Sequence, residues 1–170
     1  MIASFLQMLE KLTLLKNSHA VLTCNINSVF SCSNVLNAWQ SSVFGFPNSL
    51  MCIIFFTLTL GVALAGLTGG KLAPRLRLSM QGFALFFVCF ALWFFEQSIF
   101  VVHAICIFCL FCFAGLLAIN FAWLRLNAAE LPIGKGGRSR LARGIEKGAD
   151  ILGWFLLAAL IAFSMLLKFH

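Results

Sequence analysis

Charge is what this 170-residue sequence has least of: 10% of its residues are Asp, Glu, Lys or Arg, and only five of these are acidic. Soluble domains carry about 25% charged residues, so this composition cannot build a water-covered surface. From Asn17 to Gly70 no side chain is charged, and from Leu78 to Leu124 only Glu96 is. Runs of that length belong in a bilayer. Tyrosine is absent, while 62% of the residues are hydrophobic and Phe occurs 20 times. The formal net charge of +7 would fit nucleic-acid binding, but in so apolar a chain a membrane explains it more simply, and no nucleic-acid partner is expected. Neither a basic n-region with a small-residue cleavage site nor an internal repeat is visible.

What is present organises itself into spans. Ser49 to Thr68 offers 20 uncharged residues, which at about 1.5 Å per residue cross roughly 30 Å of hydrocarbon. Leu78 to Leu124 is long enough for two crossings, with the break placed around Phe100 to Ala104. Ile151 to Leu167 supplies a further full span, with Asp150 as its N-cap and Lys168 snorkelling at its end. At the amino terminus, Ile2, Phe5, Leu6, Leu9 and Leu12 make a helical stripe. Gln7, Glu10 and Lys11 interrupt any bilayer-length run there, so Met1 to Leu15 reads as a short interfacial or partly inserted helix.

Nine of the twelve Lys and Arg residues lie in two loops: Lys71, Arg75 and Arg77 in one, and Arg125, Lys135, Arg138, Arg140, Arg143 and Lys147 in the other. The positive-inside rule makes those loops cytoplasmic. The Asn17 to Phe46 segment, the Phe100 to Ala104 turn and the carboxyl terminus are then outside. The basic Gly134 to Gly148 run, diluted by acids, reads as an ordinary cytoplasmic loop. The expected division is 1–130 for a helical bundle, 131–150 for the loop and 151–170 for the last helix.

Four of the seven cysteines gather at the outer face. Cys106 and Cys109 form a Cys-Ile-Phe-Cys motif in the first turns of a span, where the side chains share a face about 5 to 6 Å apart and the helix N-terminus favours a thiolate. The same motif fits a structural bridge, two inert thiols or half of a metal site. No second such pair is present, and His19, His103 and His170 are scattered, so no metal is expected. Cys32, Val35, Leu36, Trp39 and Val43 follow the spacing of an amphipathic helix, with Ser33, Asn34, Asn37, Gln40 and Ser41 on its other face. Such a helix would lie flat as a lid, turning Cys32 down towards Cys106 and leaving Cys24 in a solvent-open stretch. One reading is a relay of a solvent-exposed pair and a membrane-buried pair; the other is a lid fastened by one structural Cys24–Cys32 disulfide. Cys52, Cys89 and Cys112 read as small packed apolar residues, Cys112 one helical step past Cys109. Asn48 follows Pro47 in the first turn of a span, where its amide either binds a carbonyl ligand or caps the helix. Glu96, about 27 Å along its span, is hydrated at the surface or takes part in proton transfer. Paired ionisable residues and broken repeats, the marks of a transporter, are missing.

Cys24, Cys32-Ser-Asn-Val35, Ser42-Val-Phe-Gly-Phe-Pro-Asn-Ser-Leu50, Trp93 and Cys106-Ile-Phe-Cys109 together resemble the vitamin K epoxide reductase family over roughly Glu10 to Leu124. The likeness is greatest to actinobacterial-type members without a fused thioredoxin domain. The resemblance implies an all-α membrane protein, a four-helix transmembrane bundle with an external lid helix, extended here by a C-terminal transmembrane helix. It implies a quinone-linked thiol:disulfide oxidoreductase of the cell membrane, its redox loop outside. A DsbA-like thioredoxin-fold partner would deliver electrons to Cys24 and Cys32, Cys32 would exchange with Cys106, and Cys109 would complete transfer to a menaquinone or related quinone. Asn48 matches the family asparagine on the quinone carbonyl, and Phe113 stands where the family has a tyrosine, so one polar contact is missing and epoxide reduction is not expected. Relatives begin with a complete first span, of which Leu9-Glu-Lys-Leu-Thr13 resembles the outer end. The alternative is a non-enzymatic membrane scaffold or assembly protein with a structural lid disulfide.

Overall fold

A computed structural model describes residues 1–130 apart from His19 and Ser28, and beyond them only 148, 151, 153, 156, 157 and 159. Most of the basic Gly134 to Gly148 loop, the cap at Asp150 and most of the expected last span lie outside the described residues.

Among the described residues the helices are α1 (Ile2–Lys16), α2 (Cys32–Asn37), α3 (Asn48–Leu67), α4 (Pro74–Gln97) and α5 (Ile107–Glu130). No strand occurs among the described residues. Asn48–Leu67, Pro74–Val102 and Ile107–Ala128 are each long and apolar enough to cross a membrane, which makes this an all-α membrane protein. Large side chains on these helices, among them Ile54, Leu58, Leu64, Phe83, Phe86 and Phe111, are exposed, as lipid-facing positions must be. Cys89 is also exposed and so does not pack as expected.

Local chemistry sets the helix ends. Ser31 caps α2, its side chain accepting the Asn34 N–H. Past the end of α3, Gly69 takes φ +87°, and the N–H groups of Gly69 and Gly70 close onto the carbonyls of Gly66 and Ala65, a Schellman motif that only a left-handed residue can form without strain. Pro74 opens α4 at the one helical position that tolerates it. The helix therefore begins earlier than its charge pattern suggests: Arg75 and Arg77 belong to its first turns, and the Arg77 side chain is buried.

The break between the second and third spans falls where the sequence places it, with a specific device. A π turn, Ser98–Val102, follows α4, and His103 then takes φ 57°. The N–H groups of His103 and Ala104 both bond the Ser98 carbonyl, so the chain reverses before α5 begins.

The described chain divides into two compact units. One comprises Met1–Lys71 with Cys89–Gly115, the other Leu72–Val88 with the residues from Leu116 onward. In the second, the side-chain amide of Gln81 donates to Asn120 Oδ1 and that of Asn127 to the Arg77 carbonyl, while Arg125 lies 4.5 Å over the Phe121 ring. Amides linked across two apolar helices hold them together where water is absent. In the first unit, α1 packs on α3 and α2.

In the first unit α1 is built inside out. Ile2, Phe5, Leu6, Leu9, Leu12 and Leu15 are exposed, whereas Ser4, Gln7, Lys11 and Leu14 are buried. The apolar stripe is real, but it faces outward, and the polar residues that break it face the protein.

A left-handed backbone costs a side chain about 1 to 2 kcal/mol, least for Gly and most for a β-branched residue. His103→Val is expected to lower the thermal midpoint of the purified protein in detergent by several degrees, and His103→Gly to leave it nearly unchanged.

Candidate functional site

Four sulfurs meet because two loops pair by backbone. The segment before α2 turns at Asn27, whose Oδ1 accepts the N–H groups of Val29 and Phe30 at 3.0 and 2.7 Å. Phe30 then forms an isolated parallel bridge with Ile105, and the Ile105 N–H bonds the Val29 carbonyl at 2.8 Å. Cys32 lies two residues beyond one side of that bridge and Cys106 one residue beyond the other. Their sulfurs are 3.2 Å apart, and Cys32 is joined to Cys24 by a disulfide with Cα atoms 5.8 Å apart. A thiol is thus poised against a disulfide, at the separation from which a thiolate attacks sulfur.

The structure corrects the placement of Cys24. With 4% of its surface exposed, it is not open to solvent: α1 and the lid enclose the loop, Thr23 donating its N–H and hydroxyl to Glu10 Oε1. Asn25 also exchanges two hydrogen bonds with Ser33, its amide donating to Ser33 Oγ at 2.7 Å and its Oδ1 accepting the Ser33 N–H at 3.1 Å.

Cys106 stands one residue ahead of α5 instead of within its first turn. In this capping position its sulfur faces the unpaired donors of the helix start. The Cys109 thiol donates to it, as do the backbone N–H groups of Cys109 and Phe108, and together these pull the Cys106 thiol below its ordinary value against the opposing effects of burial and of the Glu10 carboxylate. Cys109, one turn in, is buried and accepts a hydrogen bond at 3.2 Å from the Gln7 side-chain amide of α1. Cys112 is buried and Cys52 half-buried. Phe113, also buried, packs its ring on Phe95 with centroids 5.0 Å apart, and Glu96 is exposed.

The lid departs from its expected single helix. α2 ends at Ala38, whose ψ of 143° breaks the ladder, and Trp39–Ser42 form a 3₁₀ turn. The changed period rotates the next residues: Gln40 and Ser41 turn inward, while Trp39 and Val43 are exposed. The inward polar groups find partners. Lys11 donates to the Leu36 carbonyl, which also accepts the Ser41 hydroxyl, and to Ser41 Oγ at 3.1 Å. Burial pushes the Lys11 amine below its ordinary value. Trp39 meets Trp93 edge-on at 6.3 Å, and Phe90 links Trp93 to Phe44.

Asn48 does not cap α3; its amide donates to the Gln40 carbonyl at 2.7 Å. Asn48 Oδ1 and Gln40 Oε1 are buried without a partner among the described residues. Two acceptors left open on neighbouring amides suit a ligand that carries hydroxyl donors. Gln7, Glu10, Lys11 and Gln40 were not candidates from the sequence. The signal for α1 was there, in the polar stripe Ser4, Gln7, Lys11 opposite the apolar one.

The family model described as the vitamin K epoxide reductase family matches residues 1–126. No curated protein and no solved structure matches the chain.

Two outcomes are expected of this geometry. Lys11→Met removes the charged tie on the lid and leaves the Leu36 carbonyl with the Ser41 hydroxyl alone, a cost of about 1 to 3 kcal/mol for the lost bonds of a charged donor; a lower thermal midpoint and faster reduction of the Cys24–Cys32 disulfide by dithiothreitol are expected, with Ser41→Ala milder. In a Cys24→Ser, Cys32→Ser background, Cys106 is expected to react with N-ethylmaleimide faster at neutral pH than Cys89, its rate falling only once the pH drops through its lowered value.

Proposed function

This chain belongs to the vitamin K epoxide reductase family, whose members are thiol–disulfide oxidoreductases, and from that premise we propose that it passes electrons inward from an external dithiol through its two cysteine pairs to a membrane quinone. The observation that carries this reading is the 3.2 Å approach of Cys106 to a Cys32 that is already disulfide-bonded to Cys24. A scaffold needs the disulfide but has no use for a third sulfur in contact with it.

Each hop is an exchange in which one S–S bond forms as another breaks. A thiolate of a DsbA-like partner attacks the Cys24–Cys32 disulfide, and the partner's second thiol resolves the mixed disulfide, leaving Cys24 and Cys32 as thiols. Cys32 then attacks Cys106 in a Cys106–Cys109 disulfide and releases the Cys109 sulfur. Cys24 closes onto Cys32 and frees Cys106. Two electrons have moved inward and the outer disulfide is restored.

A bound quinone supplies a two-electron, two-proton acceptor that returns Cys106 and Cys109 to the disulfide. The open acceptor on Asn48, beside that of Gln40, fits its reduced hydroxyl form, and the exposed Trp39, Phe44 and Phe46 suit an approach from lipid. Phe113 offers no polar contact, so orientation rests on the Asn48 side. The cell membrane, with the cysteine pairs facing outside, is the location this chemistry and the distribution of Lys and Arg support.

The test is turnover. Protein purified in detergent is expected to oxidise a reduced DsbA-like protein while consuming a menaquinone analogue, and Cys109→Ala to bring quinone consumption to background. Turnover that survives loss of both Cys106 and Cys109 overturns the relay. Cys106 and Cys109 that never change redox state in intact membranes, with no mixed disulfide trapped by Cys32→Ala or Cys106→Ala, point to the scaffold instead.

A further inference from the structure

Gln7 stands at a costly position. Its side chain is nine-tenths buried on a helix whose other buried positions could all be apolar, and a primary amide removed from water is unfavourable unless it is bonded. Its Nε2 donates to the Cys109 sulfur, 102 residues away in sequence, at 3.2 Å. A thiol or disulfide sulfur is a weak acceptor, whereas a thiolate is a strong one. The bond therefore strengthens selectively when Cys109 carries charge.

We propose that Gln7 is a positioning residue for the inner exchange, its amide holding the Cys109 sulfur as it leaves as a thiolate. In that step the Cys32 thiolate attacks Cys106, the Cys32–Cys106 bond forms, the Cys106–Cys109 bond breaks, and the electron pair of the broken bond goes to Cys109. The free N–H groups at the start of α5, those of Phe108 and Cys109, are turned to the Cys106 sulfur, so they do not serve Cys109. The charge that leaves with Cys109 is met from another helix. Gln7 also fixes the sulfur's direction: a side chain from α1 holds it on the face of α5 that carries Cys106, so that the inner disulfide can reclose.

The inference rests on the proposed role of Cys109 as the inner thiol of the relay. Its test is independent of turnover. In the full chain in detergent, with Cys106→Ala to isolate the thiol, the pH profile of N-ethylmaleimide reaction at Cys109 is followed by peptide mass spectrometry, with Cys112 on the same helix as the internal reference. Gln7→Met fills the same space without a donor and is expected to move the Cys109 profile about one pH unit upward, roughly a tenfold slower reaction at neutral pH, with the Cys112 profile unmoved. Gln7→Glu, whose carboxylate repels a thiolate, is expected to move it further and decides the matter alone if Gln7→Met does not fold. An unchanged Cys109 profile, or equal slowing of Cys109 and Cys112, overturns the proposal. Absence of quinone-coupled turnover in the unaltered chain would overturn the relay and leave these profiles standing as the measure of Gln7.

Discussion

One short piece of backbone pairing holds the chemistry together. Val29, Phe30 and Ile105 form the only sheet-like contact among the described residues, and everything at the site is measured from it. Without it the Cys32 loop and the start of α5 would be separate surface segments, and no side-chain preference of cysteine would bring their sulfurs within contact distance. The pairing is parallel, so the chain leaves it in the same direction on both sides, and Cys32 and Cys106 emerge as neighbours. Asn27 prepares one side by turning the chain, and the left-handed His103 prepares the other. The two devices converge on one residue pair.

Around that point α1 acts as a spine with three polar contacts. Gln7 reaches Cys109, Glu10 holds Thr23 next to Cys24, and Lys11 ties the end of α2. Each would be unfavourable in a purely apolar helix, and each is satisfied by a group of the inner cysteine pair, the redox loop or the lid. Polar residues in membrane helices tend to face the protein interior and mark function, and α1 follows the same pattern, its polar residues turned to the protein and its apolar stripe exposed.

The spans, the turn between α4 and α5, the cysteine pairs and the family motif were legible because each depends on local pattern: absence of charge over about 20 residues, a Cys-x-x-Cys spacing, or a contiguous Phe-Gly-Phe-Pro-Asn-Ser string. What depended on tertiary contact was not. Gln7, Glu10 and Lys11 read as interruptions because periodicity weighs a residue by polarity and cannot see its partner. The lid helix was extended too far because Trp39 and Val43 continue its spacing, and nothing local announces that Ala38 will turn extended and rephase Gln40 and Ser41. Cys24 read as solvent-open because a Ser- and Asn-rich stretch is polar; its Asn side chains are in fact occupied with its own backbone and with Ser33.

The exchange between Asn25 and Ser33 has a consequence for the outer pair. These two residues adjoin Cys24 and Cys32 and bridge the same two points of the chain, so the loop is closed twice, once by sulfur and once by a pair of hydrogen bonds. When the covalent closure opens, the second one remains, and the ends of this eight-residue separation do not diffuse apart. Breaking the bond then releases less of the chain freedom than a lone disulfide would release. The outer pair is a latch on a loop that a second closure also holds.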